Sequence, residues 1–334
     1  MLEKPDLPDK QIMTCLRADY GLPVASIEFL PLGADANTAV YRAVTGEGTP
    51  YFVKLRSGAF DASSVAVPRY LSDQGIQPII APQATRAGRL WAELDGYRVI
   101  LYPFVEGRNG YEIEMSARQW RALGAALRRI HDTALPPDLA AGVRQETYSA
   151  RWREAVREFL EQAARETYTD PVAIELAAFL NEKRTAIAAL VDLSERHAAT
   201  LQARPGAFVL CHSDLHAGNV LIDAGRRLYI VDWDQPIFAP RERDLMYPGG
   251  AQGFRGHTPP EEERLFHVGY GRAAVDAVAL AYYRAERIVE DIALYCTDLL
   301  LSEAGGADRA QSLHYLKSNF EAGGTIEAAY RARD

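Results

Sequence analysis

Alternating apolar and polar positions in the first hundred residues predict an antiparallel sheet. The apolar runs of strand length fall at 27–32, 38–44, 50–55, 88–94 and 97–102. The last two flank Asp95-Gly96, a dipeptide that favours a tight hairpin turn. One helix is predicted between Asp61 and Gly75, and Pro68 must either kink it or mark its start.

The apolar spacing changes to a helical period after residue 110. Ser116 and Gln119 form a candidate capping box, Asp170 opens a long Ala-rich helix through Leu193, and Thr258 precedes a proline at a first helical position. The chain is therefore predicted to be an α+β protein. Its expected parts are an N-terminal lobe with a sheet and one helix at 1–102, a connecting segment at 103–110, and a mainly helical lobe at 111–334.

Composition narrows the class of protein and of partner. The chain has 334 residues, which suits two lobes around one cleft, and 48% of them are hydrophobic, enough for a substantial core. Three scattered cysteines favour a reducing compartment, and neither a signal peptide nor a membrane-spanning run is recognisable, so we predict a cytoplasmic protein without membrane contact. A net charge of −8 disfavours nucleic acid and suits a cationic partner. No obligate protein partner is evident.

The chemistry is concentrated between residues 212 and 232. Asp214 is followed five residues later by Asn219, and Asp232 lies thirteen residues after Asn219, at the end of a predicted strand. Kinases arrange a catalytic carboxylate beside a metal site in this way. Residues 219–223 and 228–232 are predicted as two strands around a turn at 224–227.

The predicted register of these strands locates the metal. If Asp223 pairs with Leu228, Asn219 faces Asp232, and directly opposed residues have Cβ atoms about 4.5–5.5 Å apart. An amide oxygen and a carboxylate are suitable ligands for Mg²⁺. We therefore predict a magnesium site on Asn219 and Asp232, with Asp214 off the metal, where it orients a substrate hydroxyl and takes its proton. This geometry requires that register.

His212 and His216 stand four residues apart, as a zinc pair on a helix would. Gly218 and the lack of a Glu after His212 argue against such a helix. His212 is instead predicted to pack and hydrogen-bond, holding the loop in shape.

At these residues the chain resembles the aminoglycoside phosphotransferase family, whose catalytic loop reads H-x-D-x-x-x-x-N and whose two-lobed fold is that of the protein kinases. The longer strings at 211–221, 232–236 and 240–246 are most similar to the spectinomycin-phosphorylating branch. Further likeness lies at 33–37, 51–54 and 282–291, so the resemblance covers nearly the whole chain.

The resemblance implies an ATP site in the N-terminal lobe. Lys54 matches the strand lysine that contacts the α- and β-phosphates, the turn from Gly33 to Asn37 would cover the phosphates, and 103–110 would be the hinge. Adenine would then hydrogen-bond the carbonyl of Pro103 and the N–H of Val105.

The sequence departs from the kinase pattern at one point. That pattern pairs the strand lysine with a helix Glu, and none lies between Lys54 and Leu90. Either Asp61 or Asp73 takes its place, or phosphates alone hold Lys54. The alternative for Lys54 itself is a solubility residue on an edge strand.

Acidic residues accumulate after the metal site and are predicted to bind a small cationic substrate. The candidates are Asp234, Glu242, Asp244, Glu286 and Glu290. Asp244 could instead brace the loop. Glu286 and Glu290 could belong to an ordinary solvated helix face, on which Arg287 pairs with Asp291.

Together these features predict an ATP- and Mg²⁺-dependent kinase that transfers the γ-phosphoryl group to a hydroxyl of a cationic aminocyclitol or aminoglycoside, spectinomycin being the first choice. The alternatives are a metabolic kinase of the same fold acting on choline, homoserine or a sugar, and a nucleotide-binding pseudokinase. A protein kinase is disfavoured because Trp233-Asp234 replaces Phe-Gly after the metal-binding Asp.

Overall fold

The fold is described from a computed structural model, which covers residues 4–33, 37–204, 206–302, 306 and 308–331. The chain divides into two compact units, each assembled from three stretches. The first comprises Met1–Ile113, Thr133–Val143 and Ala217–Pro236; the second comprises Glu114–Asp132, Arg144–His216 and Ile237–Asp334. The lobe boundaries at 102 and 111 remain a prediction.

The helices of the described residues are α1 Asp9–Tyr20, α2 Ser63–Asp73, α3 Ala117–His131, α4 Pro137–Gly142, α5 Arg151–Arg165, α6 Pro171–Ala203, α7 Glu242–Leu245, α8 Pro259–Tyr270, α9 Ala277–Leu300, α10 Asp308–Ser318 and α11 Thr325–Arg331. The strands are β1 Val24–Leu30, β2 Thr38–Thr45, β3 Pro50–Arg56, β4 Ala92–Leu94, β5 Tyr97–Pro103, β6 Gly107–Asn109, β7 Arg144–Gln145, β8 Val209–Cys211, β9 Val220–Asp223, β10 Leu228–Ile230 and β11 Ile237–Ala239. No helix among these residues is long and apolar enough to cross a membrane.

The first unit contains the predicted antiparallel sheet, with strand order β1-β2-β3-β5-β4. Asp95 and Gly96 both have positive φ, as the predicted hairpin turn requires. The predicted helix is α2, which begins at Ser63, so Pro68 lies inside it.

Helix α1 was not predicted from the sequence. It buries Ile12, Cys15 and Leu16 in the core that also contains the inner face of the sheet. These three positions have the helical spacing i, i+3, i+4, but charged residues surround them and the apolar pattern is only one turn long. The helix owes its place to tertiary burial, which so short a pattern does not reveal.

The hairpin of β9 and β10 has a register one residue away from the predicted one. Leu228 pairs with Ile222 rather than with Asp223. Asp223 instead pairs with Arg227, accepting hydrogen bonds from its backbone N–H and its Nε, each at 2.8 Å. The loop is therefore three residues long and ends on Arg226 at φ +64°, the usual form for that length.

The predicted opposition of Asn219 and Asp232 is accordingly wrong. Asn219 belongs to the 3₁₀ turn Ala217–Asn219, and its carbonyl accepts a hydrogen bond of 3.0 Å from the N–H of Val231. Asp232 follows the strand with φ +64°. Both candidate metal ligands thus lie just beyond the paired residues, and their placing rests on loop conformation.

The second unit is mainly helical, and its predicted helix starts are confirmed. Ser116 and Thr258 each form a capping box, and the Asp170 carboxylate caps α6 through the N–H of Ala173. Helix α6 extends past Leu193 to Ala203. A core of buried side chains joins α5, α6 and α9.

Helices α3 and α8 approach each other through glycines. A Cβ on Gly124 would lie 2.2 Å from the carbonyl oxygen of Phe266, and one on Gly269 would lie 1.8 Å from that of Arg121. Backbone atoms cannot move aside as a flexible side chain can, so both positions require the absence of a side chain. This contact fixes the middle of α3, which runs on to His131.

We expect Gly124→Ala to destabilise the protein by about 1–3 kcal/mol, because the added methyl forces the two helices apart. Chemical denaturation would measure the change. Gly142→Ala is the matched control, since a Cβ there meets nothing within 4 Å and alanine is the better helix former. Equal effects of the two substitutions would contradict the close approach.

Glu262 lies in the first turn of α8 with its carboxyl group buried, at 3% exposure. It accepts a hydrogen bond of 3.2 Å from the N–H of Gly249, a residue with φ +71°. Burial raises the pKa of Glu262 to about 7, against the smaller opposing effect of that hydrogen bond. The folded protein therefore favours the protonated side chain near neutral pH.

We expect Glu262→Gln to stabilise the protein above pH 7 by up to about 3 kcal/mol, since glutamine still accepts the Gly249 hydrogen bond but carries no charge. A carboxyl whose folded pKa is raised costs stability as the pH rises from its unfolded to its folded value. The gain should therefore vanish towards pH 4.5 in thermal denaturation. Glu261→Gln is the control, because the Thr258 capping box lowers the pKa of that neighbour. A gain independent of pH would refute this account.

Candidate active site

In the second unit, the loop that carries Asp214 is held by Asp244. Strand β8 leads into the loop, and the Asp244 carboxylate accepts the backbone N–H groups of His212 at 2.8 Å and Ser213 at 2.7 Å. Ser213 has φ +75°, a strained value for a residue with a side chain. Asp244 therefore stabilises the backbone conformation that presents Asp214.

Asp244 is itself fixed and ionised. Its side chain is fully buried, and His131 Nε2 lies 3.1 Å from Oδ2 while His131 Nδ1 lies 2.7 Å from the Tyr270 hydroxyl. Burial alone would raise the pKa of Asp244, but the contact with His131 outweighs it and the pKa is lowered. This is the bracing role that the sequence left open for Asp244.

His131 and Asp244, with Cys211, also form a buried group of metal-type donors. Their atoms already serve the protein, because the thiol of Cys211 points at the carbonyls of Ala239 and Pro240. Burial holds the pKa of Cys211 well above its usual value, so the thiol keeps its proton in this structure. We assign this group to bracing the loop.

The Asp214 carboxylate is about one third exposed and contacts a guanidinium. Arg287 Nη1 donates to Oδ1 at 2.6 Å, the Tyr247 hydroxyl lies 3.3 Å from the same oxygen, and His216 Nε2 lies 3.6 Å from Oδ2. Burial would raise the pKa of Asp214, but Arg287 and then His216 outweigh it and hold the pKa well below its usual range. Asp214 is therefore an anion at neutral pH and a weak base.

In the first unit, Lys54 forms an ion-pair cluster with the acids that follow β10. Its Nζ lies 2.7 Å from Asp234 Oδ1 and 3.1 Å from Asp232 Oδ1, and Arg56 Nη1 lies 2.7 Å from Asp234 Oδ2. Burial alone would lower the pKa of Lys54, but Asp232 and Asp234 outweigh it and raise the pKa. A lysine this buried, at 12% exposure, is not a solubility residue on an edge.

These contacts supply the partner of Lys54 that the sequence did not identify. Asp61 accepts the N–H of Ser63 at the start of α2, and Asp73 forms an ion pair with Arg69 at 2.8 Å. Neither takes the place of the helix Glu. Asp232 and Asp234 hold Lys54 in this structure, and the arginine two residues after the lysine was the sequence signal for a second cation at Asp234.

The remaining nucleotide and metal candidates lie in the same unit. Asn219 is buried, and the side chain of Asp232 is 47% exposed. The amide oxygen of Asn219 and the carboxylate of Asp232 are donors of the kind that Mg²⁺ prefers. Pro103 ends β5 with an exposed side chain, and Val105 follows it half-buried.

The predicted phosphate turn is only partly described. Gly33 has φ +98°, and the Asn37 carbonyl accepts the N–H of Ser57 at 2.9 Å. Residues 34–36 lie outside the described part of the chain. The roles assigned to these nucleotide-side and metal residues stay predictions.

The acidic candidates in the second unit differ in burial. Glu242 is buried and accepts the N–H of Asp276 at 2.9 Å. Glu286 is also buried, pairing with Arg153 Nη1 at 2.7 Å and accepting a hydrogen bond from Ser194. Glu290 is half-buried and makes no hydrogen bond or ion pair with the residues that the structure describes.

The charged residues of α9 differ in burial and in pairing. Glu286 and Glu290 do not form an ordinary solvated face, because Glu286 is 4% exposed. The suggested pair of Arg287 with Asp291 is confirmed, at 3.0 Å. The contact between Arg287 and Asp214 was not foreseen.

Comparison with known proteins establishes the family. The sequence profile of the APH phosphotransferase enzyme family matches residues 28–284. The chain belongs to this family. A structure of spectinomycin phosphotransferase APH(9)-Ia in complex with ADP and spectinomycin is 38% identical, with a TM-score of 0.91, over 98% of this chain and 99% of that one. An AMP-bound complex of the same enzyme is 36% identical, with a TM-score of 0.86, over 97% and 99% of the two chains.

A more distant relative is Protein StrN of Streptomyces griseus, 25% identical over 276 residues, which span 79% of this chain and 82% of StrN. The predictions of the family, of a kinase-like α+β fold and of a phosphotransferase are confirmed by these similarities. The predicted nucleotide agrees with the ADP and AMP that the two APH(9)-Ia structures hold.

Asp234 could either position Lys54 or bind the substrate, and a substitution distinguishes these two roles. If Asp234 positions Lys54, Asp234→Asn should weaken ATP binding about 10- to 100-fold by calorimetry, since one charge-assisted contact contributes about 1.5–3 kcal/mol. The affinity for the acceptor should stay the same. Asp73→Asn is the control, because Asp73 lies in the same unit and pairs with Arg69 at the surface rather than with Lys54. A loss of acceptor affinity with unchanged ATP binding would instead support the predicted substrate-binding role.

Proposed function

We propose that this protein is an ATP- and Mg²⁺-dependent kinase that phosphorylates a hydroxyl of a cationic aminocyclitol or aminoglycoside, spectinomycin being the first choice. The observation that carries the proposal is an ionised, braced Asp214 in a chain 38% identical, over nearly its whole length, to a protein whose structure holds ADP and spectinomycin. Such a reaction uses cytoplasmic ATP, and the three unpaired, buried cysteines agree with a reducing compartment.

On the nucleotide side, Lys54 has the charge and the fixed position to contact the phosphates. We assign adenine to the carbonyl of Pro103 and the N–H of Val105, the phosphate turn to Gly33 and Asn37, and the two lobes and hinge to 1–102, 111–334 and 103–110. Asn219 and Asp232 would hold Mg²⁺, which when bound neutralises charge on the phosphates. The ion pairs of Lys54 with Asp232 and Asp234 support its assignment to the phosphates, because a cation held between two acids is already fixed in position when the nucleotide binds.

On the acceptor side, Asp214 orients the substrate hydroxyl. The hydroxyl oxygen forms a bond to the γ-phosphorus, the bond from that phosphorus to the β,γ-bridging oxygen breaks, and ADP leaves with the electron pair. The hydroxyl proton passes to the Asp214 carboxylate and then to water. Because the transition state is loose, a weakly basic carboxylate is sufficient, and positioning supplies most of the rate.

The acidic candidates are not equal as ligands for a substrate ammonium group. Asp244, Glu242 and Glu286 are buried and their carboxylates already bind the protein, while Asp234 binds Lys54 and Arg56. Glu290 is half-buried with no ion pair among the described residues. We therefore expect Glu290 to contribute more to acceptor affinity than the others.

The test is Mg·ATP-dependent ADP release with spectinomycin, other aminoglycosides, choline and homoserine as acceptors. We expect release with spectinomycin, and a loss of at least about 10³-fold in Asp214→Asn, which removes the oriented anion while ATP still binds. Release with choline or homoserine instead would keep the kinase and exclude the antibiotic. Unchanged turnover in Asp214→Asn would refute its catalytic role.

A further inference from the structure

Arg287 forms a short ion pair with the Asp214 carboxylate within the second unit. It projects from α9, and its Nη1 lies 2.6 Å from Asp214 Oδ1. Its Nε donates to Asp291 Oδ1 at 3.0 Å, one turn further along the same helix. The guanidinium is therefore held at two points, with one of them on Asp214.

The Tyr247 hydroxyl does not replace this contact. It lies 2.8 Å from the carbonyl oxygen of Ser213 and 3.3 Å from Asp214 Oδ1, and a hydroxyl has one hydrogen to donate. The shorter contact takes that hydrogen. Of these two groups, Arg287 is the donor to Oδ1, and it restrains the rotation of the carboxylate.

Electrostatics around Arg287 show why a cation stays there. Its charge is surrounded by Asp214, Asp291 and Glu290, and these acids with Tyr247 outweigh the effect of burial and raise its pKa well above the usual value. The charge persists at every pH at which the protein is folded. Arg287 thus lowers the proton affinity of Asp214 at all working pH values.

We propose that Arg287 is a positioning residue of the phosphoryl transfer, which pins the Asp214 carboxylate through Oδ1 and keeps it an anion that orients the acceptor hydroxyl. The inference rests on the proposed function. It specifies more than an ordinary ion pair: a group that had to remove a proton early would be impaired by a guanidinium at 2.6 Å. A group that only orients the hydroxyl is improved by it.

The side chains that act on Asp214 within this unit include Arg287, His216, His212 and Tyr247, with Asp291 behind Arg287. Arg287→Met removes the charge and keeps much of the side-chain volume. Arg287→Lys keeps the charge and loses the planar donor pair. Arg157→Met is the matched control, since it removes one positive charge from the same unit at an exposed pair with Glu195.

The first measurement follows the protonation of Asp214 directly, by ¹³C NMR of enzyme labelled at its aspartate carboxyls, with Asp214→Asn to identify the signal. We expect Asp214 to stay ionised throughout the folded pH range in the unmodified enzyme, in Arg287→Lys and in Arg157→Met. In Arg287→Met, Asp214 should instead take up a proton within the folded pH range. An unchanged titration in folded Arg287→Met would overturn the proposal.

This measurement needs no turnover, so its outcome is independent of the acceptor. If the unmodified enzyme releases no ADP with any acceptor of the panel, that result would count against the proposed function alone. A shifted Asp214 titration would still support the contact, and an unshifted one would refute it.

The second measurement is steady-state kinetics. We expect kcat of Arg287→Met to fall about 10- to 100-fold, with KM for ATP within about 2-fold of the original value, as for a misplaced reacting group. The acid limb of kcat/KM should move to higher pH with the titration of Asp214, and Arg287→Lys should recover part of kcat. A loss of activity explained by a lower melting temperature, without that movement, would mean a structural role and contradict the proposal.

Discussion

One buried carboxylate, that of Asp244, supports the loop that carries Asp214, the proposed catalytic residue. An isolated charge is costly to bury, and Asp244 meets that cost with two backbone N–H donors and His131. It is in place because β11 pairs with β8, with Ile237 opposite Cys211, and runs on into α7. Ser213 keeps a positive φ because both N–H groups around it are held. The direction of Asp214 is thus set by a residue thirty positions later.

In each unit, ion pairs hold a charged side chain in place, a cation in the first unit and an anion in the second. In the first, the cation of Lys54, proposed to contact phosphate, is held by two carboxylates; in the second, the anion of Asp214, the proposed catalytic residue, is held by a guanidinium. Each charged group is stabilised in its ionised form, so Lys54 keeps its proton and Asp214 is only a weak acceptor of one. Groups of this kind suit a reaction governed by position and charge rather than by early proton transfer.

The sequence predicted what is decided locally. Ser116, Asp170 and Thr258 are helix caps whose partners lie within three residues, and the turn at Asp95-Gly96 is equally local. Prediction from the sequence failed where the strand register or the depth of burial decides the structure. The β9–β10 register depends on the bonds from Arg227 to Asp223, which favour a three-residue loop over the four-residue one that was predicted. Glu286 and Glu290 share a helix face by spacing, yet only Glu286 meets Arg153, and spacing alone does not give depth of burial.

A weakly basic Asp214 also limits where selectivity for the acceptor can arise. If every hydroxyl is oriented by the same pinned anion, differences in acidity between acceptors have little effect on the rate. Discrimination must then come from binding, through the side chains that receive the rest of the substrate. Glu290 lies beside Arg287 on α9, so one turn of helix carries both the group that contacts Asp214 and an acid suited to an ammonium group. A change of acceptor preference by substitution at Glu290 is therefore expected to leave the chemistry at Asp214 in place.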